Sequence, residues 1–203
     1  MPSSSQSYRA LENWVKPGSR VLDLGCGEGQ LLDYLVRTRQ VSALGVEIDQ
    51  RKMVSCVEKG ISVIEQDVDK GLGNFEDDSF DTVLLTQTLQ AVRQPDYVLQ
   101  EMLRVGKECI ITFPNFGHWQ ARLSLMLKGK MPVSRFMPHE WYDTPNIHFC
   151  TVKDFEALCE TLSMRILDRH FLSGARLDLS VSDSIRLAPN LRAVNAIYHV
   201  TRG

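Results

Sequence analysis

No apolar run in this sequence approaches the roughly 18 residues that a membrane-spanning helix requires. The opening residues Met1 to Ser7 are polar, with no basic-then-apolar export signal. Membrane and secreted classes are thereby set aside, and a cytoplasmic location is expected. Charge of one sign is lacking too: 23 Lys and Arg stand against 25 Asp and Glu, a net charge of −2, and the two signs are interspersed. No basic face is available to hold a nucleic-acid backbone or an anionic membrane surface by electrostatics. Cysteine occurs only as Cys26, Cys56, Cys109, Cys150 and Cys159, without a C-x-x-C pair or a histidine at ligand spacing. That supports neither a zinc site nor a disulfide framework and leaves free, mostly buried thiols as the expectation. Repeats and low-complexity segments are missing beyond Ser3-Ser4-Ser5. The 203 residues suffice for one good core, so a single domain over 1–203 is expected, with 1–7 flexible.

What the sequence does hold is concentrated in Val21-Leu22-Asp23-Leu24-Gly25-Cys26-Gly27-Glu28-Gly29, where a short apolar strand meets a glycine turn that opens into a helix. Such a turn builds a small-molecule site. One further absence bears on the kind of molecule. The dinucleotide fingerprint G-x-G-x-x-G needs its third glycine at position 30, where Gln30 stands, and the extra glycine comes one residue early at Gly29. A nucleotide phosphate would sit on the helix N-terminus, beside the carboxylates of Asp23 and Glu28, which repel it. The pattern points to a cationic ligand free of phosphate. S-adenosylmethionine, with an ammonium, a sulfonium and an adenosine, fits that description. The stretch resembles the class I methyltransferases, in which the acidic residue two before the first glycine faces the methionine end of the cofactor. By that resemblance Asp23 takes this role. Gly25 and Gly27 let the backbone approach where a side chain would collide, and Cys26 between them is assigned to the same cofactor-binding loop.

The next strand carries a second acidic position. Dinucleotide and adenosyl folds both use a carboxylate roughly 20 residues on, at the end of the second strand, to accept from ribose hydroxyls. Glu47 ends Ala43-Leu44-Gly45-Val46-Glu47 and suits the task, Ile48 offers an apolar edge to adenine, and Asp49 is the competing carboxylate. The third element, Ser62-Val63-Ile64-Glu65-Gln66-Asp67-Val68, again runs apolar then acidic. In the family pattern an Asp here accepts from the adenine amino group, which assigns Asp67, with Val68 beside it. Acidic residues at the ends of three successive strands point to a site rather than to solvated strand ends.

Along the chain, apolar strand-like runs alternate with helical periodicity, the pattern of a parallel α/β sheet covered on both faces. Helices are predicted from Tyr8 to Val15, from Gly29 to about Thr38, from Gln50 to Glu58 and from Pro95 to Val105, the last opened by its proline. Phe80 to Leu85 and Cys109 to Phe113 read as the fourth and fifth strands. A helix near Val152 to Leu162 and strands near Arg165 to Phe171 and Ala193 to Val200 complete a seven-stranded, mostly parallel Rossmann-like sheet with an antiparallel edge strand. The segment Pro114 to Cys150 breaks the rhythm and gathers Phe116, His118, Trp119, Pro138, His139, Trp141, Tyr142 and His148. It leaves the carboxyl end of the fifth strand, where a loop is placed to cover a pocket, and it reads as a lid or docking insertion or as a packed connection. Lys128 and Lys130, with Arg122 and Arg135 nearby, read as a solvated face.

A closer resemblance rests on Ser79-Phe80-Asp81, Gln87-Thr88-Leu89-Gln90-Ala91, Glu101-Met102-Leu103-Arg104-Val105-Gly106, Phe113-Pro114-Asn115-Phe116-Gly117-His118-Trp119 and Trp141-Tyr142-Asp143-Thr144-Pro145-Asn146-Ile147-His148. Together these blocks resemble the MetW family of methionine biosynthesis proteins, from about Leu11 to Tyr198. The resemblance implies a bacterial class I methyltransferase fold acting beside a homoserine O-acyltransferase, MetX. Two functions follow. In one, the chain binds S-adenosylmethionine or S-adenosylhomocysteine and activates or regulates that acyltransferase. In the other, it is a small-molecule methyltransferase. Methyl transfer from a sulfonium needs mainly positioning. If an acceptor must lose a proton, His118, His139, Tyr142 and His148 are the candidate general bases, and the sequence does not choose among them. The Asn-Pro-Pro-Tyr type motif of many amino-group methyltransferases is replaced by Thr86-Gln87-Thr88-Leu89, which disfavours nucleic-acid amines and protein glutamine as acceptors. Gln87 falls near the methionine end of the cofactor or caps a helix.

Overall fold

Strand β1, Arg20–Leu24, is buried at every residue after the first, Asp23 included, as a strand inside a parallel sheet covered on both faces should be. In the computed structural model, which describes residues 8–133, 139–173 and 185–203, β1 pairs in parallel with β2 (Ser42–Glu47) on one side and β4 (Phe80–Thr86) on the other. With β3 (Ser62–Glu65), β5 (Gly106–Pro114), β6 (Met164–Leu172) and β7 (Asn195–Arg202), the sheet order is β3-β2-β1-β4-β5-β7-β6. The first five strands are parallel. At the far edge β7 runs antiparallel to both β5 and β6, so the reversed strand lies one in from the rim. The strand order turns around between β1 and β4, and a doubly wound sheet opens its ligand crevice at the carboxyl ends of such a pair.

Helices form where local chemistry starts and stops them. α2 (Gln30–Arg39) begins at Gly29, whose φ of 73° lets the chain enter the helix from the glycine turn. α3 (Gln50–Glu58) is capped by Asp49, which accepts from Arg51 N. α4 (Pro95–Val105) has proline in its first turn and buries Val98, Leu99, Met102 and Leu103. α6 (Val152–Thr161) opens with a Thr151–Asp154 capping box. On one face of the sheet, Leu11 and Val15 join α2 residues Leu31, Leu32 and Leu35 against Val21 and Ile110. On the other, α4 and α6 pack over Val83, Ile111 and Tyr198.

Several boundaries differ from the sequence reading. The helix expected from Tyr8 to Val15 is only α1, Arg9–Glu12; hydrogen-bonded turns carry the chain from it toward Pro17. The third element ends as a strand at Glu65, because Asp67 caps a 3₁₀ turn over Val68–Lys70 instead. The larger correction concerns the Pro114 to Cys150 segment, which holds a helix the periodicity did not reveal, α5 (Trp119–Lys128). Leu123, Leu125, Met126 and Leu127 are all exposed and only Ala121 is buried, so no stripe of period 3.6 marks it. A short helix α7 (Pro189–Arg192) precedes β7. Met1 to Ser7, Arg135 and Pro138 lie outside the described residues. No helix among the described residues is long and apolar enough to cross a membrane.

Candidate functional site

A cleft of about 550 Å³ opens at the carboxyl ends of β1, β2 and β4, with Gly25, Gly27, Glu47, Ile48, Asp67, Val68 and Gln87 in its walls. The structure thus brings together most of the positions that the sequence assigns to cofactor binding. Gly25 has φ +73°, and a Cβ there would stand 2.7 Å from Thr88 Oγ1. Only glycine lets β1 and the segment after β4 approach this closely while turning left-handed. Gly25 N and Cys26 N both donate to Val46 O, at 2.8 and 3.0 Å, so the turn is tied to the end of β2.

Glu47 is buried and stitches the cleft together. Its Oε2 accepts from Gly27 N at 2.8 Å, and its Oε1 accepts from Ile48 N at 2.9 Å and Asp49 N at 3.0 Å. Asp49, the competing carboxylate, is absent from the cleft wall and caps α3. Ile48 is 61% exposed, a large apolar side chain turned outward at the cleft. Asp67 lines the cleft while accepting from Asp69 N at 3.1 Å. Gln87 holds a left-handed φ of 55°, rare for a side-chain-bearing residue. Thr112 maintains it: Gln87 N donates to Thr112 O and Oγ1, both at 3.0 Å, and Gln87 Nε2 donates to the same Oγ1 at 3.2 Å. The capping alternative is not realised, since the 3₁₀ turn over Leu89–Ala91 follows Thr88 and has no side-chain cap.

Asp23 and Cys26 are placed differently. Neither is among the residues lining the cleft. Asp23 is wholly buried two residues before Gly25, and neither carboxyl oxygen has a partner. Burial, and secondarily the charge of Glu47, pushes its pKa up to about 7. An unpaired buried carboxyl beneath a glycine turn is costly alone and suits a cationic group brought to that turn. The acidic set Asp23, Glu47 and Asp67 around a phosphate-excluding glycine turn fits the chemistry of a cationic adenosyl cofactor. The Cys26 thiol turns into the core 3.9 Å from Cys56 Sγ, its ionisation strongly disfavoured by burial, and a Cβ on Gly45 would collide with it.

None of the four candidate bases lines the cleft. His118 caps α5, accepting from Gln120 N through Nδ1 at 3.3 Å, and burial lowers its pKa. His139 lies in a small hollow with Trp141, and Tyr142 is 73% exposed, edge-on to Trp141. His148 comes nearest, its Nε2 lying 3.2 Å from the carbonyl oxygen of Arg93, a cleft residue. Sequence reasoning missed Lys52, Thr88, Arg93 and Asn146 in the wall. It also missed Asp69, which accepts from Arg93 N at 2.8 Å and Gln94 N at 3.2 Å and so fixes the rim. Thr88 follows directly on the assigned Gln87, a signal that was available; Arg93 and Asn146 reach the cleft only through tertiary folding.

The model of the methionine biosynthesis protein MetW family matches residues 5–200. The chain belongs to that family. A bifunctional methionine biosynthesis protein MetXA/MetW from Rhodopirellula baltica is 39% identical over 195 residues, 90% of this chain and 30% of the relative. A ubiquinone biosynthesis O-methyltransferase from Hahella chejuensis is 28% identical over 139 residues, 64% of this chain and 58% of the relative. This MetW family member thus spans less than a third of the first relative and somewhat over half of the second. Among solved structures, a SAM-dependent methyltransferase from Archaeoglobus fulgidus superposes with a TM-score of 0.72 at 17% identity, covering 98% of this chain and 92% of that one. The likeness establishes the Rossmann-like methyltransferase fold.

Proposed function

We propose that this chain binds S-adenosylmethionine or S-adenosylhomocysteine in the cleft and acts in methionine biosynthesis as an activating or regulatory partner of the homoserine O-acyltransferase MetX. The observation that carries the reading is the Rhodopirellula relative, in which one polypeptide bears both the MetXA and the MetW names. The glycine-turned cleft, with the carboxyl buried beneath its turn, supports the ligand side: Asp23 supplies the negative charge for the ammonium, Glu47 answers the ribose hydroxyls and Asp67 the adenine amine. The insertion over 114–150 supplies the docking side, with Trp119, Met126, Leu127, Trp141 and Tyr142 exposed, an apolar concentration of the kind that marks interaction surfaces. Pro145 and Asn146 from the same insertion line the cleft, so ligand and partner act on one segment, and their coupling must be reciprocal. The test is homoserine acyltransferase activity of the cognate enzyme with and without this protein, each with and without S-adenosylmethionine. Activation that responds to the cofactor is expected; no complex and no activation overturns the reading.

A second reading, a small-molecule methyltransferase, draws on the likeness to the Hahella O-methyltransferase. Bound S-adenosylmethionine would supply a sulfonium-activated methyl group. Alanine substitutions in the insertion separate the two: a catalytic lid loses methyl transfer and keeps the complex, whereas a docking surface loses the complex.

A further inference from the structure

Helix α5 is not accounted for by its own domain. It has 10 residues, of which only Ala121 is buried. Isolated helices shorter than roughly 12–15 residues are marginal in water, and most helical stability in proteins comes from covering an apolar face. Here the apolar side chains are left outside. Trp119, Leu123 and Leu127, spaced i, i+4 and i+8, run in one line along the helix and are 46%, 38% and 70% exposed. Together with Phe116 and Phe149 they line a groove of about 410 Å³. Asn146 lines both this groove and the cleft.

The charge balance of the whole chain breaks down over the same segment. No Asp or Glu occurs in 109–139, which holds Arg122, Lys128, Lys130 and Arg135, although the net charge of the chain is −2. The described lining of the groove contains no carboxylate, and Lys128 lies in its wall at the end of α5. Lys128 and Lys130 are exposed, and neither forms an ion pair among the described residues. The pattern selects the occupant. A second copy seated across a twofold axis would set these lysines against the same lysines of its neighbour, a like-charge contact. A bilayer accepts a helix that lies flat in its surface with the apolar side inward, and it has no way into a recess. A protein segment does: its apolar side chains enter the groove, and carboxylates beside them meet the two lysines.

We infer that the groove beside α5 receives an apolar segment flanked by Asp or Glu, contributed by the acyltransferase. Trp119, Leu123 and Leu127 bury against that segment, and Lys128 and Lys130 pair with its carboxylates. On the reading of this chain as the enzyme's partner, on which this rests, the contact centres on α5 rather than on Trp141 and Tyr142, and the enzyme's face is acidic.

The complex of the full chain with the cognate acyltransferase is titrated by calorimetry at about 50 mM and about 500 mM salt, and each variant is checked for an unchanged far-UV circular dichroism spectrum. Leu127→Glu puts a charge where the apolar segment must sit while keeping a good helix former, and should weaken the complex by about tenfold or more. Lys128→Glu combined with Lys130→Glu should weaken it about tenfold at low salt and less at high salt. Val57→Glu, at a position 65% exposed on α3, is the matched control and should leave the affinity unchanged. A zero-length carbodiimide joins a lysine amine to a carboxylate in contact with it, so peptides containing Lys128 or Lys130 should be recovered joined to Asp or Glu peptides of the acyltransferase. A complex that forms but ignores the α5 substitutions, weakens as much with Val57→Glu, or yields no such joined peptides overturns the inference and leaves the partner reading standing. No complex with the unaltered chain overturns the partner reading and this one with it. Self-association of the chain, or binding to phosphatidylglycerol vesicles, that Leu127→Glu abolishes would give the groove to a different occupant and likewise overturn the inference.

Discussion

Replacing Asp23 by Asn tests the chemistry beneath the glycine turn at a single atom. The wild-type carboxyl is fully buried without a partner, and burial, reinforced by the charge of Glu47, lifts its pKa from 3.8 to about 7. Between those values the unfolded chain has released the proton while the folded chain still holds it. Stability contributed by the neutral acid is therefore complete below the unfolded pKa, falls as pH rises through the window, and levels off above about 7. The displacement corresponds to about 4 kcal/mol. Asn has nearly the same shape and does not titrate. Urea unfolding of both proteins from about pH 4 to about pH 8 should thus give a wild-type-minus-variant stability that declines by about that amount, with titrations elsewhere cancelling in the difference. Ligand binding supplies the second arm. S-adenosylmethionine, being cationic, favours ionised Asp23, so its affinity should rise with pH toward 7 in the wild type and show no such rise in the variant. Adenosine, which lacks the ammonium, should bind both alike by calorimetry. A flat difference curve, or an adenosine affinity that drops as far as that of S-adenosylmethionine, refutes the assignment.

Glu47→Ala should weaken adenosyl-cofactor binding by roughly 1–3 kcal/mol in calorimetry. It should also lower the melting temperature, since three backbone N–H groups lose their acceptor. Gly25→Ala should destabilise by about 1–3 kcal/mol through its left-handed φ and the approach of Thr88. Thr88→Ala should recover the steric part alone in a double-mutant cycle. Arg104 Nε and Nη2 donate to Glu101 at 2.8 and 2.9 Å, and Arg104 also reaches Asp77 and the carbonyls of Leu72 and Phe75. It holds the Glu101 pKa below the usual carboxylate value, a stabilisation present above that range and lost as pH falls. Arg104→Gln should therefore cost about 1–3 kcal/mol at neutral pH by denaturant unfolding and cost progressively less as the pH is lowered through the carboxylate range.

The strands and the glycine turn were legible because their causes are local. β1, β4 and β5 are largely apolar runs that suit a sheet covered on both faces, and Asp23, Glu47 and Asp67 stand near or just beyond the carboxyl ends of β1, β2 and β3. What the sequence could not convey depends on distant partners. The spacing places Asp23 before the turn, yet its complete burial without a partner depends on what the fold packs over that face of β1. Gln87 owes its left-handed backbone to Thr112 on the neighbouring strand, 25 residues away. α5 was missed because its apolar residues surround the helix instead of marking one face. Its cap, His118, also falls outside the Ser, Thr, Asp and Asn that announce most helix starts. The general-base candidates were chosen by chemical type alone, and the fold distributes them along the insertion rather than around the cleft.

The insertion is gathered at its base by Asn115. Its Nδ2 donates to Asn190 O at 3.1 Å and Ala193 O at 2.8 Å, while its Oδ1 accepts from Gly117 N at 3.0 Å and Val152 N at 3.3 Å. Phe116 N donates to Cys150 O at 3.0 Å across the same neck. A loop whose two ends are pinned has its closure fixed by the frame rather than by its own length, and lengthening it adds little further cost. Length and composition can therefore change over 120–140, between the blocks that carry the family resemblance, without shifting the register of β5 against β7. A chain altered there while keeping Asn115 is expected to retain its fold and change only the surface it presents, which makes the segment a natural cassette for transplanting partner choice from one such protein to another.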